Sequence, residues 1–209
     1  MAIDYSLYLV ADADFAGERD LAALVDAAVR GGATVVQLRV KNLGGRAFVG
    51  LALEISRRLA GTGVPLLIND RVDIAMACGT AGVHLGQDDM PVPTARRILG
   101  PDAAIGVSVN TPEEAILAER EGADYVGAGP AFATTTKETP LAVLGPAGIA
   151  RIKSAVRIPV VAVGGISAGN AASLAAAGAD GIAVVSAILG APDPARAAEE
   201  LTRSFKLRA

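Results

Sequence analysis

Apolar residues fall in short, unbroken runs along this chain. They are Leu7–Val10, Thr34–Leu38, Pro65–Ile68, Gly82–Leu85, Ala104–Val107, Asp124–Ala128, Pro159–Val163 and Gly181–Val185. Each has strand length and is bounded by turn residues. Between them the pattern changes to helical spacing: Leu21–Arg30, Arg46–Leu59, Val72–Cys78, Thr94–Leu99, Pro112–Glu121, Pro146–Val156, Ala171–Ala177 and Pro194–Phe205. The stretch "TPEE" places Thr111 at an N-cap, Pro112 at the first helical position and Glu114 where a capping box needs it. Glycine closes most of the helical segments, as at Gly31, Gly61, Gly79, Gly100, Gly122 and Gly178.

Near-continuous apolar strands, rather than alternating ones, predict a parallel sheet covered on both faces. Eight strand–helix units in 209 residues, with no linker or low-complexity tract, predict one α/β domain over residues 1–209, a closed (β/α)8 TIM barrel. The alternative is an open doubly wound sheet. The uncharged stretch Ile158–Ala179 is long enough to cross a bilayer. Pro159, Gly164-Gly165 and Gly169-Asn170 break it, so it reads as a buried strand, a glycine turn and an alanine-rich helix.

Composition narrows the function without choosing it. Hydrophobic residues at 52% and charged residues at 20% describe a soluble globular chain. A net charge of −3 argues against nucleic acid or an anionic membrane as partner. The single cysteine, Cys78, cannot form an internal disulfide, and no signal peptide opens the chain, so a cytoplasmic location is expected.

In a TIM barrel the active site forms where strands end. Unusual polar residues gather at those ends: "QLRVK", "IND", "HLGQDD", "GVSVN" and "GAGPAFATTTK". Gln37, Arg39 and Lys41 alternate along strand 2 and share one face, with Leu38 and Val40 on the other. Buried cations need anionic partners, so that face looks at a ligand, unless strand 2 is a solvated edge. Asp70 and Asp88 follow neighbouring strands. They are candidates for a shared Mg2+, or else each caps the helix that follows. Gly164-Gly165 and the Val185-Ser186 turn lie where TIM barrels commonly bind phosphate. Ser108 is either a ligand contact or a turn residue. The one histidine, His84, reads as a satisfied core residue, and Cys78 as packing. The run Thr134-Thr135-Thr136-Lys137 sits in the longest connection, Gly129 to Gly145. Hydroxyls, amides and one ammonium there suit a polyphosphate, where a bland surface loop is the alternative.

Together "QLRVK", "IND", "GVHLGQDD", "GVSVN", "GPAFATTTK", "VGGI" and "VVSAI" resemble, in order and over essentially the whole chain, the thiamine-phosphate synthase (thiamine-phosphate pyrophosphorylase) family of TIM-barrel enzymes. The resemblance implies a transferase. It would join 4-amino-2-methyl-5-(diphosphooxymethyl)pyrimidine to 4-methyl-5-(2-phosphooxyethyl)thiazole, with magnesium assisting loss of diphosphate. It implies that Gln37, Leu38, Arg39, Val40, Lys41, Asn69, Ser108 and Lys137 bind the pyrimidine diphosphate, with Arg39, Lys41 and Lys137 as the catalytic cations. Asp70 and Asp88 would hold magnesium. Thr134 and Thr136 would contact the thiazole phosphate, with Thr135 between them in the substrate loop, and Gly165, Val185 and Ser186 would hold that phosphate. Two positions depart from the family: Val40 replaces the usual acid and Asn110 a frequent histidine. The related thiazole tautomerases lack much of this cation and magnesium set and lean on a histidine at the Asn110 loop. Two rival functions fit the same fold. One is a sugar-phosphate isomerase, which would need a central acid–base pair, and the second is a non-catalytic ligand-binding barrel. A homo-oligomer is compatible with all of these.

Overall fold

The computed structural model describes residues 3–134 and 141–206. Eight strands close into one barrel, each parallel to the next: β1 Leu7–Asp12, β2 Val35–Arg39, β3 Leu66–Asn69, β4 Gly82–Leu85, β5 Ala104–Val109, β6 Tyr125–Ala128, β7 Val160–Val163 and β8 Gly181–Val184. β8 pairs back onto β1 at Leu7↔Ile182, so no sheet edge remains and an open sheet is ruled out. The outer ring consists of α2 Leu21–Arg30, α3 Gly45–Leu59, α4 Val72–Cys78, α5 Val92–Leu99, α6 Pro112–Arg120, α7 Gly145–Ala155, α8 Ala171–Ala176 and α10 Pro194–Lys206. Two short helices lie outside the predicted pattern: α1 Ala13–Ala16 and α9 Ser186–Leu189, which follow β1 and β8 directly. Four residues carry too little periodicity to stand out from a loop.

The alternation of each strand divides the core in two. Leu9, Val36, Leu38, Ile68, Val83, Ile105 and Ile182 point outward and pack under the helices. Tyr5, Tyr8, Val35, Leu67, Ala104, Tyr125 and Val161 fill the barrel interior. Helix α2 shows why the pattern works. Leu21, Ala22, Val25 and Ala28 lie at helical spacing on its buried face, and Asp20 caps it by accepting from the Ala23 amide at 3.0 Å.

The N-terminal ends of the strands are tied down. Asp124 accepts from the Ile105 amide and Asp180 from the Val160 amide, both at 2.7 Å. Arg96 and Lys153 then pair with those same carboxylates. The opposite ends carry the cavity. The uncharged stretch near residues 158–179 folds as β7, a glycine turn and α8. Among the described residues, no helix is long and apolar enough to cross a membrane.

Candidate active site

A cavity of about 740 Å³ sits at the C-terminal ends of the strands. Gln37, Arg39 and Lys41 all line it, so the alternation on β2 carries them to one face, as the spacing predicts. Leu38 and Val40 do not line it. Leu38 is fully buried and Val40 nearly so, and both side chains pack in the layer between barrel and helices. Any contact they make with a substrate is therefore through the backbone. Nor is β2 a solvated edge, because β1 and β3 flank it.

Each cation on this face has its own acid. Arg39 pairs with Asp12 at the end of β1, and Asp12 also caps α1 by accepting from the Phe15 amide at 3.0 Å. Lys41 pairs with Asp70, which follows β3. Asp70 adopts φ 62°, the left-handed region, and is alone in this among the described non-glycine residues. Such a conformation costs on the order of 1 kcal/mol and persists because surrounding bonds impose it. Here the Asp70 amide donates to the His84 carbonyl at 2.8 Å.

Asp70 also shares a hydrogen bond with Asp89, whose other link is to the Gly86 amide at 2.6 Å. Burial pushes the Asp70 carboxyl up, but the bonds from Lys41 and Asp89 outweigh it and the net direction is down. Burial and the bond to Asp70 both push Asp89 up. The two carboxyls thus shift in opposite directions, as facing acids do. The carboxylate beside Asp70 is thus Asp89 rather than Asp88, which is exposed yet still lines the cavity. Asn69 completes this wall, buried at the end of β3.

The far wall is glycine backbone. Gly164 and Gly165 follow β7 with φ of 99° and 64°. A Cβ on Gly165 would lie 2.4 Å from the Ala133 carbonyl oxygen, so no side chain fits there. Asn170 locks this turn: its Nδ2 donates to the Gly165 carbonyl and its Oδ1 accepts from the Ser167 amide, both at 2.9 Å. Val185 opens α9 with no side-chain cap, and Ser186 follows; both line the cavity. Thr134 lines the cavity too. Thr135, Thr136 and Lys137 lie outside the described residues. Asn110, where the expected histidine is missing, donates from Nδ2 to Gly129 O at 2.9 Å and Ala142 O at 3.2 Å, pinning both ends of that connection.

His84 is not simply a packed residue. It lines the cavity, with Nδ1 at 2.9 Å from Tyr125 Oη and Nε2 at 2.9 Å from Ser108 Oγ. Tyr125 Oη is 2.8 Å from Tyr8 Oη, which accepts from Gln37 Nε2 at 2.8 Å. Gln37, Tyr8, Tyr125, His84 and Ser108 thus form one chain across the cavity floor. Gly106 leaves room for it, since a Cβ there would come within 2.1 Å of the Tyr125 ring. Hydrophobic pattern alone did not mark Asp12, Tyr8 and Tyr125 as site residues. A signal was present: Tyr8, Val10 and Asp12 alternate as Gln37, Arg39 and Lys41 do, and glycine inside a strand marks a close approach.

Residues 7–188 match the family model described as thiamine monophosphate synthase. The chain belongs to that family. A thiamine-phosphate synthase of Chloroflexus aurantiacus is 50% identical over 199 residues, 95% of this chain and 92% of the relative. One of Clostridium novyi is 51% identical over 189 residues, 90% of this chain and 93% of the relative. The solved thiamine phosphate pyrophosphorylase of Pyrococcus furiosus superposes with a TM-score of 0.89 at 38% identity, covering 97% of this chain and 96% of that one. As a member of the thiamine monophosphate synthase family the chain is an enzyme of the transferase class.

Proposed function

We propose that this enzyme is a thiamine-phosphate synthase. It would join 4-amino-2-methyl-5-(diphosphooxymethyl)pyrimidine to 4-methyl-5-(2-phosphooxyethyl)thiazole, giving thiamine monophosphate and diphosphate. The observation that carries the reading is one cavity with two unlike walls, each of which suits an anion. Arg39, Lys41, Asn69 and the Asp70–Asp89 pair make one wall, and the Gly164-Gly165 turn with Val185 and Ser186 makes the other. A substrate pair with a diphosphate on one partner and a phosphate on the other fits those two walls.

The chemistry suits the residues. The carbon that carries the diphosphate is benzylic in type, and it ionises when charge on the departing oxygens is stabilised. Arg39 and Lys41 supply donors there, and Lys137 in the loop is proposed as a third. The thiazole nitrogen that captures the carbon bears no proton, so no general base is needed at the nucleophile. That agrees with a site whose one imidazole is held at both nitrogens by hydroxyls. A thiazole tautomerase fits less well: Asn110 occupies that family's histidine position and acts as a loop staple.

The donor set also fits magnesium. Two carboxylates face each other and push each other's titration apart, and a hard divalent ion prefers one or two carboxylates plus phosphate oxygens. Asp70 and Asp89 would hold the ion, and Asp88, exposed on the same cavity, is the alternative second ligand. When bound, the metal neutralises charge on the leaving diphosphate.

Mixing the protein with magnesium and both substrates should release one diphosphate per thiamine phosphate formed. No release with both substrates present overturns the function. Asp70→Asn and Asp89→Asn should each lower turnover about a hundredfold at fixed magnesium, as loss of a strong electrostatic contact does. Asp88→Asn should lower it less, and undiminished activity in excess EDTA would remove the metal from the reading.

A further inference from the structure

The five-residue chain under the cavity has a direction, and the direction follows from one amide. Gln37 Nε2 can only donate, and it donates to Tyr8 Oη. Tyr8 must then spend its single hydrogen on Tyr125 Oη, 2.8 Å away. Tyr125 in turn spends its own on His84 Nδ1 at 2.9 Å. With Nδ1 accepting, the neutral ring carries its proton on Nε2, which donates to Ser108 Oγ at 2.9 Å. The Ser108 hydroxyl has then received its bond and keeps its hydrogen for the cavity. Both tyrosines are fully enclosed, and burial holds their hydroxyls well above the ordinary tyrosine range, so each contributes one hydrogen and no charge.

Reversing the Gln37 amide reverses every bond. Tyr8 would donate to the amide oxygen, Tyr125 to Tyr8, His84 Nδ1 to Tyr125, and Ser108 to His84 Nε2. Ser108 would then offer the cavity lone pairs only. A single proton arrangement thus links Gln37 on β2 and Ser108 on β5 through Tyr8, Tyr125 and His84. Packing alone does not require hydroxyls here. Tyr8 and Tyr125 sit among apolar residues in the barrel interior, where a phenyl ring would fill the same space without a polar group to satisfy.

We propose that Tyr8, Tyr125 and His84 are positioning residues that fix the Nε2–H tautomer of His84 and thereby present Ser108 as a hydrogen-bond donor to the bound substrate. The substrate half of this statement rests on reading Ser108 as a contact of the pyrimidine diphosphate. The tautomer half stands without it.

His84 is the one histidine of the chain, so its ring gives an unobstructed nitrogen signal. A long-range proton–nitrogen NMR spectrum of the full-length protein, at a pH where the ring is neutral, should show Nε2 protonated and Nδ1 bare. The opposite tautomer in the unaltered protein overturns the proposal. Gln37→Glu keeps the shape and replaces the donor by an acceptor, so it should switch His84, three hydrogen bonds away, to the Nδ1–H form. If that variant does not fold, Tyr125→Phe keeps the ring against Gly106 and removes only the hydroxyl; the Nε2–H population should fall. A ring unchanged by whichever substitution folds overturns the proposal. For the substrate half, Tyr125→Phe should raise KM for the pyrimidine diphosphate about fivefold, the size of one neutral hydrogen bond, with kcat little changed. In a Ser108→Ala background the same substitution should add almost nothing, because the hydroxyl it steers is gone. Equal effects in both backgrounds refute the steering. A protein with the expected tautomer switch but no diphosphate release would retain the chain and lose the proposed reaction, so the two readings fail separately.

Discussion

At Asp12 a single buried carboxylate caps α1 and holds Arg39 toward the cavity. Asp12→Ala should cost about 2 kcal/mol, combining a lost N-cap with a partly buried guanidinium left without its partner. Asp12→Asn keeps an acceptor for the Phe15 amide and should cost less. Urea midpoints with unchanged m values check this, and equal stability of the alanine variant sinks it. Arg39→Ala should instead show mainly as weaker binding of the pyrimidine diphosphate, read by calorimetry. The face of Arg39 was legible because alternation on a strand is rigid: once Gln37 points inward, so do Arg39 and Lys41. The partner of Asp70 was not. Asp88 and Asp89 are identical in chemistry and adjacent in sequence. Only the turn that brings Asp89 back onto the Gly86 amide decides which one faces inward. Turn geometry of that kind depends on tertiary contacts that local pattern does not encode.

Among the elements, the strands show where pattern succeeds and where it stops. Apolar runs located all eight, yet β1 and β5 each extend two residues past the expected end, to Asp12 and Val109. Those extensions carry Asp12 and Ser108, because a strand that reaches the mouth becomes polar where it meets the cavity. A run defined by hydrophobicity ends just before the functional residue. Glycines within strands carry the complementary signal. Gly106 on β5 faces the Tyr125 ring and Gly127 on β6 faces His84, with added Cβ contacts of 2.1 and 2.9 Å. Gly106→Ala should lower Tm by about 5 °C through overpacking, and Gly127→Ala by less. A scan ranking them in reverse would contradict the assigned close approach. The connection from Gly129 to Gly145 is held by Asn110, whose amide bonds to carbonyls at both ends. Asn110→Ala should therefore speed proteolysis within that connection while leaving the global urea midpoint nearly unchanged, since sub-global opening and global stability are separable. Cleavage at the wild-type rate would deny the staple.

For the molecule as a whole, closure of the barrel sets fold and any cavity ligand in one equilibrium. Strands, helices and loops converge on one cavity, so whatever binds there stabilises the folded chain by mass action: about 2.7 kcal/mol at a hundredfold excess over Kd. For a chain of 209 residues that is on the order of 5–10 °C in Tm. The charge layout predicts which ligands achieve it. Arg39 and Lys41 would attract the proposed diphosphate, but Asp70 and Asp89 stand on the same wall and would repel it. Each carboxyl shifts the titration of the other, and magnesium would neutralise both. Diphosphate alone should therefore raise Tm little, and magnesium alone little. Together they should exceed the sum, because each neutralises what opposes the other. Replacing both acids, in Asp70→Asn with Asp89→Asn, should reverse the pattern. Diphosphate alone should then stabilise more than it does in the unaltered protein, while added magnesium contributes nothing further. Thermal melts over a grid of the two ligands measure this without any turnover. Simple additivity in the unaltered protein, or a magnesium increment that survives loss of both carboxylates, would show that the ion is held elsewhere. The two aspartates would then act only as partners for Lys41 and for each other.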